Sequence, residues 1–171
     1  RYILNKILGR KVSNLFAQML PPAQVPVNGL YIYGGVGRGK TMLMDMFASC
    51  LETGSYQRLH FHDFMVLAQD SIHAARQAGD DDPIEAAAEM LAARGQVLCF
   101  DEMEVKDIAD AMILSRLFNI MFDEGTILVT TSNQSPDGLY KNGLHRDRIL
   151  PFIENLKLKT NIIAMPPGDD W

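Results

Sequence analysis

Long hydrophobic runs are missing from this chain: no apolar stretch approaches the ~20 residues that a membrane-spanning helix needs. That excludes a helical membrane span. Cysteine is scarce too. Cys50 and Cys99 are the only two and make no disulfide framework. Cys99 lies inside an apolar strand and reads as a small buried thiol, so a reducing, intracellular compartment is expected. There is no excess of positive charge: 16 Lys and Arg stand against 21 Asp and Glu, a net charge of −5. That balance speaks against nucleic acid as a main partner. No repeat, low-complexity segment, signal sequence or transit sequence is visible.

What is present is ordinary for a soluble globular protein: 47% hydrophobic and 22% charged residues in 171. That length suits one domain with a sizeable core. The start at Arg1, with no methionine, and the end at Trp171 after Pro166-Pro167-Gly168 read as those of a piece of a longer protein.

Strands alternate with helices along the chain. Leu4, Leu8, Val12, Leu15, Phe16 and Met19 recur at helical spacing, so residues 1–20 are expected to be helical up to Pro21-Pro22. Residues 1–28 are read as an N-terminal helix and linker, and residues 29–171 as one αβα core. Strands are expected at 29–33, 57–61, 97–100, 126–130 and 160–164. Between them, helices are expected at 40–50, 62–78, from Asp82 onward, 107–124 and 147–156. Asp82-Pro83-Ile84-Glu85 carries an N-cap, a proline at the first helical position and a capping-box glutamate. Pro151 must sit in the first turn of the last helix. The fold class is therefore α/β, a five-stranded parallel sheet between helices.

The most specific chemistry lies at 34–41. Gly34-Gly35-Val36-Gly37-Arg38-Gly39-Lys40-Thr41 matches G-x-x-x-x-G-K-[ST] at every fixed position. Such a match arises by chance in roughly half a percent of chains this long, and the strand before and helix after it lower that further. Gly34, Gly37 and Gly39 let backbone N–H groups point inward without obstruction. The loop opens on a helix N-terminus, which favours an anion. Lys40 is the point charge for the β- and γ-phosphates, and the Thr41 hydroxyl is placed for magnesium. Gly34, Gly35, Val36, Gly37, Arg38, Gly39, Lys40, Thr41 and Met42 make up the expected nucleotide contacts, with ATP or ADP as ligand.

The apolar strand Val97-Leu98-Cys99-Phe100 ends in Asp101-Glu102. Asp101 is expected to hold Mg2+, mostly through water, and Glu102 to orient and deprotonate the attacking water. Two solvated acids at a strand end would be the better reading without the phosphate loop upstream. One strand separates the two motifs, the layout of the additional-strand ATPases. Beyond the fourth strand, Asn133 is the candidate sensor of the γ-phosphate. An asparagine in a turn before Ser135-Pro136-Asp137-Gly138 competes with that reading.

The runs GLYIYGGVGRGKT, RLHFHDFM, LCFDEMEVKDIADAMILSRLF and TTSNQSPDGLYKNGLHRDRILPFI resemble an AAA+ P-loop NTPase of the ZapE cell-division and AFG1-like (LACE-type) branch. The resemblance covers most of 29–158. It implies an ATPase that converts ATP to ADP and phosphate in a homo-oligomeric ring, such as a hexamer, and remodels a protein partner. For bacterial members the implied partner is the division-ring protein FtsZ and the compartment the cytoplasm. For mitochondrial members it implies protein quality control. It also implies that Arg146 or Arg148 reaches into the neighbouring subunit's ATP site, without separating the two. A C-terminal helical lid, which the family carries, is not expected in this chain. A nucleotide-gated adaptor that turns over slowly is the alternative, and Glu102 argues against it. A helicase loader would want a basic strand path, which the acidic balance disfavours. His60 and His62, expected on one face of a strand, are too few for a metal site. One of them could instead hold Glu102 inactive.

Overall fold

The computed structural model describes residues 28–166. The helix expected over 1–20 and the tail 167–171 lie outside them. Strands β1 (Gly29–Tyr33), β2 (Tyr56–His60), β3 (Val97–Asp101), β4 (Ile127–Ser132) and β5 (Thr160–Ala164) form one sheet. Helices α1 (Lys40–Ser49), α2 (Phe61–Ala78), α3 (Pro83–Ala92), α4 (Ile108–Asp123) and α5 (Leu150–Lys159) connect them, with 3-10 turns at Pro136–Gly138 and Arg146–Arg148. The order across the sheet is β2-β3-β4-β1-β5, and every pairing is parallel. The expected α/β class and five parallel strands are what the chain adopts.

Side chains alternate across a strand, so each strand feeds two cores. Leu98, Phe100, Tyr31 and Leu128 face the larger one, with residues of α2, α4 and α5. Cys99 and Val129 face the other way, onto Met44 of α1, with Leu30 and Val97 against them. In the larger core Phe100 meets Phe64 with ring centroids 4.6 Å apart, Phe61 edge-on at 5.8 Å and Phe118 at 5.9 Å. Phe118 in turn meets Phe152 at 5.7 Å. Such ring pairs add about 0.5–1.5 kcal/mol each beyond their burial. Phe100 directly precedes Asp101, so this cluster anchors the acid pair.

Two helix starts follow the sequence closely. Asp82 accepts from the N–H groups of Ile84 and Glu85, with Pro83 opening α3. Asp107 accepts from Ala109 N–H at the start of α4. Two expectations need correction. The second strand ends at His60, and Phe61 already belongs to α2, where its ring closes on Phe100. The last helix begins at Leu150 rather than Asp147. A proline ring clashes with the carbonyl four residues back. For Pro151 that carbonyl is Asp147's, so 146–148 form a separate 3-10 turn.

Cys99 is fully buried, and burial pushes its thiol pKa from 9.0 up to about 12. Burial likewise pushes the Tyr31 phenol from 10.0 up to about 12. Both groups keep their protons in the folded chain after the unfolded chain has lost them. Folded-state pKa values above the unfolded ones mean stability that is complete below pH 9.0 and lost as pH rises toward about 12. Urea melts across that window should show a falling midpoint. The fall should be shallower in Cys99→Ala, which removes one of the two groups; equal slopes would contradict the assignment.

Candidate active site

The site sits where the carboxyl ends of β1, β3 and β4 come level. Register pairs Tyr33 with Ser132 and Phe100 with Thr130. Each strand then hands its next residue to the same edge: Gly34 from β1, Glu102 from β3, Asn133 from β4. Three bonds past the ladders fix these exits. Gly34 N–H donates to the Ser132 carbonyl at 3.2 Å, and Met103 N–H to the Thr131 carbonyl at 2.7 Å. The Ser132 hydroxyl donates to the Met103 carbonyl at 2.8 Å. A hollow between the β3 and β4 exits is lined by Glu102, Met103, Glu104, Ser132, Asn133 and Gln134.

Residues 34–39 form the loop between β1 and α1. Gly37 and Gly39 take φ of 77° and 76°, in the left-handed region that glycine adopts without strain. Gly34 is glycine for a different reason from the backbone freedom expected of it. A Cβ there would lie 2.8 Å from the Cβ of Met165, in the segment after β5. Gly39 caps α1, and no side chain bonds the first N–H groups of that helix. Its first turn also carries no acid. These unclaimed donors, with the helix dipole behind them, suit a phosphate.

Lys40 is only 8% exposed. Its ammonium donates to the carbonyls of Gly34 at 2.8 Å and Gly35 at 2.7 Å, and to Asn133 Oδ1 at 2.9 Å. All three donors are therefore used. Burial lowers its pKa, and the nearby Glu102 carboxylate opposes that shift. The structure thus brings together the three residues Lys40, Glu102 and Asn133, and the sensor candidate touches the loop's lysine directly. Val36 and Met42 are exposed at 80% and 60%, at the outer side of the loop and the start of α1, and Thr41 is exposed.

Asp101 ends β3 with its carboxylate buried at 7% exposure. Its Oδ2 accepts from Arg58 Nε at 2.8 Å. Its Oδ1 is buried with no partner among the described residues. An orphaned carboxylate oxygen is costly unless something binds it, and a magnesium-bound water would satisfy it. The residues present fit magnesium on that ground. Glu102 has φ of 59°, a rare setting for a residue with a Cβ, and its N–H donates to the Thr131 hydroxyl at 3.1 Å. The left-handed turn swings its exposed side chain away from the line of the strand.

Arg146 and Arg148 lie in the 3-10 turn before α5, apart from these groups. Arg146 is half-buried and donates to the Asp137 carbonyl at 2.7 Å, not to Asp147. Arg148 is exposed, with one guanidinium N–H 3.5 Å from the Met112 sulfur. The two histidines do not share a strand face, because the chain turns helical between them; His60 sits beside Asp101 in register and His62 is in the first turn of α2. No group of three or more His, Cys, Asp or Glu among the described residues could hold a metal by itself. Arg58 is the site residue the motifs do not reveal. Its only signal is an arginine two positions before the end of a short strand that precedes the acid pair.

The chain is 44% identical over 161 residues to the Escherichia coli (strain K12) cell division protein ZapE, covering 94% of this chain and 42% of that protein. It is 44% identical over 155 residues to lactation elevated protein 1 homolog B of Danio rerio, covering 85% of this chain and 31% of that one. The chain thus spans less than half the length of these relatives. Domain III of the Thermotoga maritima replication initiation protein DnaA superposes with a TM-score of 0.60 at 19% identity, over 95% of this chain and 64% of that one. The last likeness is one of fold alone. A model of the AFG1-like ATPases matches residues 5–171, so the chain belongs to that family.

Proposed function

We propose that the chain binds ATP with magnesium and hydrolyses it to ADP and phosphate, as the nucleotide-binding part of a ring of identical subunits. One observation carries the reading: Lys40, Asn133 and Glu102 converge beside a helix start that has neither a side-chain cap nor an acid. Few arrangements other than a terminal phosphate call for a buried cation, a neutral polar group and a carboxylate at one such point.

Each residue then has a role. Backbone N–H groups of 34–39 and the α1 start take the phosphate oxygens, with Val36, Arg38 and Met42 flanking the nucleotide. The Lys40 ammonium exchanges its bonds to the Gly34 and Gly35 carbonyls for phosphate oxygens. Thr41 and Asp101 would hold magnesium, which supplies charge neutralisation across the β- and γ-phosphates when bound. Glu102 accepts a proton from the attacking water, and Asn133 registers the γ-phosphate while holding Lys40 in line. Of the two arginines, Arg146 is occupied in fastening its turn to Asp137. Arg148 is exposed, and we assign it the reach into a neighbouring subunit.

The E. coli relative is named a cell division protein. On that ground the remodelled partner is proposed to be a protein of the division ring such as FtsZ, in the cytoplasm.

Phosphate release by the full-length protein, measured against its concentration, tests the reading. The rate per subunit should climb with concentration. Glu102→Gln should keep nucleotide binding and lose about 10²–10⁴ in turnover, and Lys40→Ala should lose binding. Magnesium-dependent binding with a Glu102→Gln rate equal to wild type would sink the hydrolysis assignment.

Arg148→Ala should cost about 10³ or more in turnover while the melting temperature stays put. Arg146→Ala should lower the melting temperature first, because it releases the Asp137 contact. The opposite pattern would reverse the assignment of the two residues.

A further inference from the structure

We propose that Arg58 is a positioning residue for the magnesium site, an inference that rests on the ATP reading above. It grips one oxygen of Asp101 so that the other is left for the metal's water, and it ties the phosphate-loop helix to the acid strand.

The geometry starts from the β2–β3 register. Arg58 is paired with Cys99, so the two side chains share a face of the sheet. Cys99 packs on Met44 of α1, which makes this the α1 face. Asp101, two residues after Cys99, returns to that face. Arg58 therefore lies diagonally beside Asp101, under the helix that starts at the phosphate loop.

From there the guanidinium reaches two carboxylates. Its Nε donates to Asp101 Oδ2 at 2.8 Å, and a terminal nitrogen donates to Asp45 Oδ1. Asp45 lies one turn after Thr41 in α1, and residues four apart share a helix face. So one planar fork connects the helix that carries Thr41 with the strand that carries Asp101, the two elements expected to hold magnesium. It also takes only one Asp101 oxygen. The other, Oδ1, is the buried oxygen with no partner among the described residues.

A rival account makes the pair purely structural: a buried aspartate needs a cation, and arginine supplies it. That account predicts a loss of stability when Arg58 is removed but no selective change in what magnesium adds to nucleotide binding. The positioning account predicts the selective change. Residues that orient metal ligands from behind typically contribute 10–100-fold to metal affinity.

The experiment is equilibrium binding of a fluorescent ATP analogue to the full-length protein, in magnesium and in EDTA. The variants are Arg58→Ala, Arg58→Lys and Asp45→Asn. In Arg58→Ala the gain in affinity from magnesium should shrink about tenfold, with the affinity in EDTA within about twofold of wild type. Lysine keeps the charge but not the fork, so it should recover only a minor part of the gain. If Arg58→Ala does not fold, Asp45→Asn, at an exposed carboxylate, gives the same readout with a smaller loss in the same direction. An unchanged magnesium gain, an equal loss in EDTA and magnesium, or full recovery with lysine would each overturn the proposal. Wild-type protein that binds no nucleotide would instead sink the ATP reading itself. Magnesium-dependent binding by wild type and Arg58→Ala alike would remove only the role of Arg58.

Discussion

Strand β4 bonded on both edges is the arrangement on which the site depends. The phosphate loop leaves β1 and the acid pair leaves β3, and these two strands never touch. Within the sheet they are held in line through β4, whose Val129–Ser132 pair with β1 and whose Ile127–Thr130 pair with β3. A one-residue slip in either ladder would turn every side chain of the slipped strand to the other face. Tyr31 and Phe100 would leave the larger core, and Asp101 would leave the α1 face. The apolar alternation of three strands thus fixes the polar geometry at their ends. Asn133 emerges from the shared strand, next to β1, and there it accepts from the lysine.

Charge at this edge is arranged so that no buried ion stands alone. Desolvating a cation or a carboxylate costs several kcal/mol unless partners compensate. Lys40 meets two carbonyls and an amide oxygen, and Asp101 meets a guanidinium. What stays unused beside these pairings is the set of backbone donors at the α1 start and one oxygen of Asp101. The protein is satisfied enough to fold and incomplete at the points where a nucleotide and its metal would bind.

The legible part of this architecture is the part written in short spacings. The glycine-rich loop after β1, the acid pair at the end of β3 and the cap at Asp82 are each local, and the structure places them at the strand and helix ends that their spacing implies. Long-range causes were not readable. Nothing near Gly34 says that Met165 will lie against it, because that contact exists only once β5 has joined β1. Arg58 looks like any strand arginine until β2 is set beside β3. The histidine reading failed on a tertiary matter as well: Phe61 is drawn into α2 by Phe100, and that breaks the strand periodicity between His60 and His62. In the last helix Pro151 does sit in the first turn, but its ring keeps Asp147 out of the helix, and residues 146–148 form a turn of their own.

The left-handed backbone at Glu102 also limits what evolution or an engineer can do there. Its φ of 59° is closed to valine, isoleucine and threonine on steric grounds, whatever their chemistry. Glycine, asparagine and aspartate sit there more comfortably than glutamate does. The position is thus occupied by a residue its own backbone disfavours, and relaxing that strain means giving up the longer carboxylate. On the role proposed for Glu102, selection for stability and selection for turnover pull in opposite directions at this one residue. Sequences of this fold that have abandoned hydrolysis should drift toward glycine or asparagine there, so inactive descendants would be recognisable by a more contented backbone.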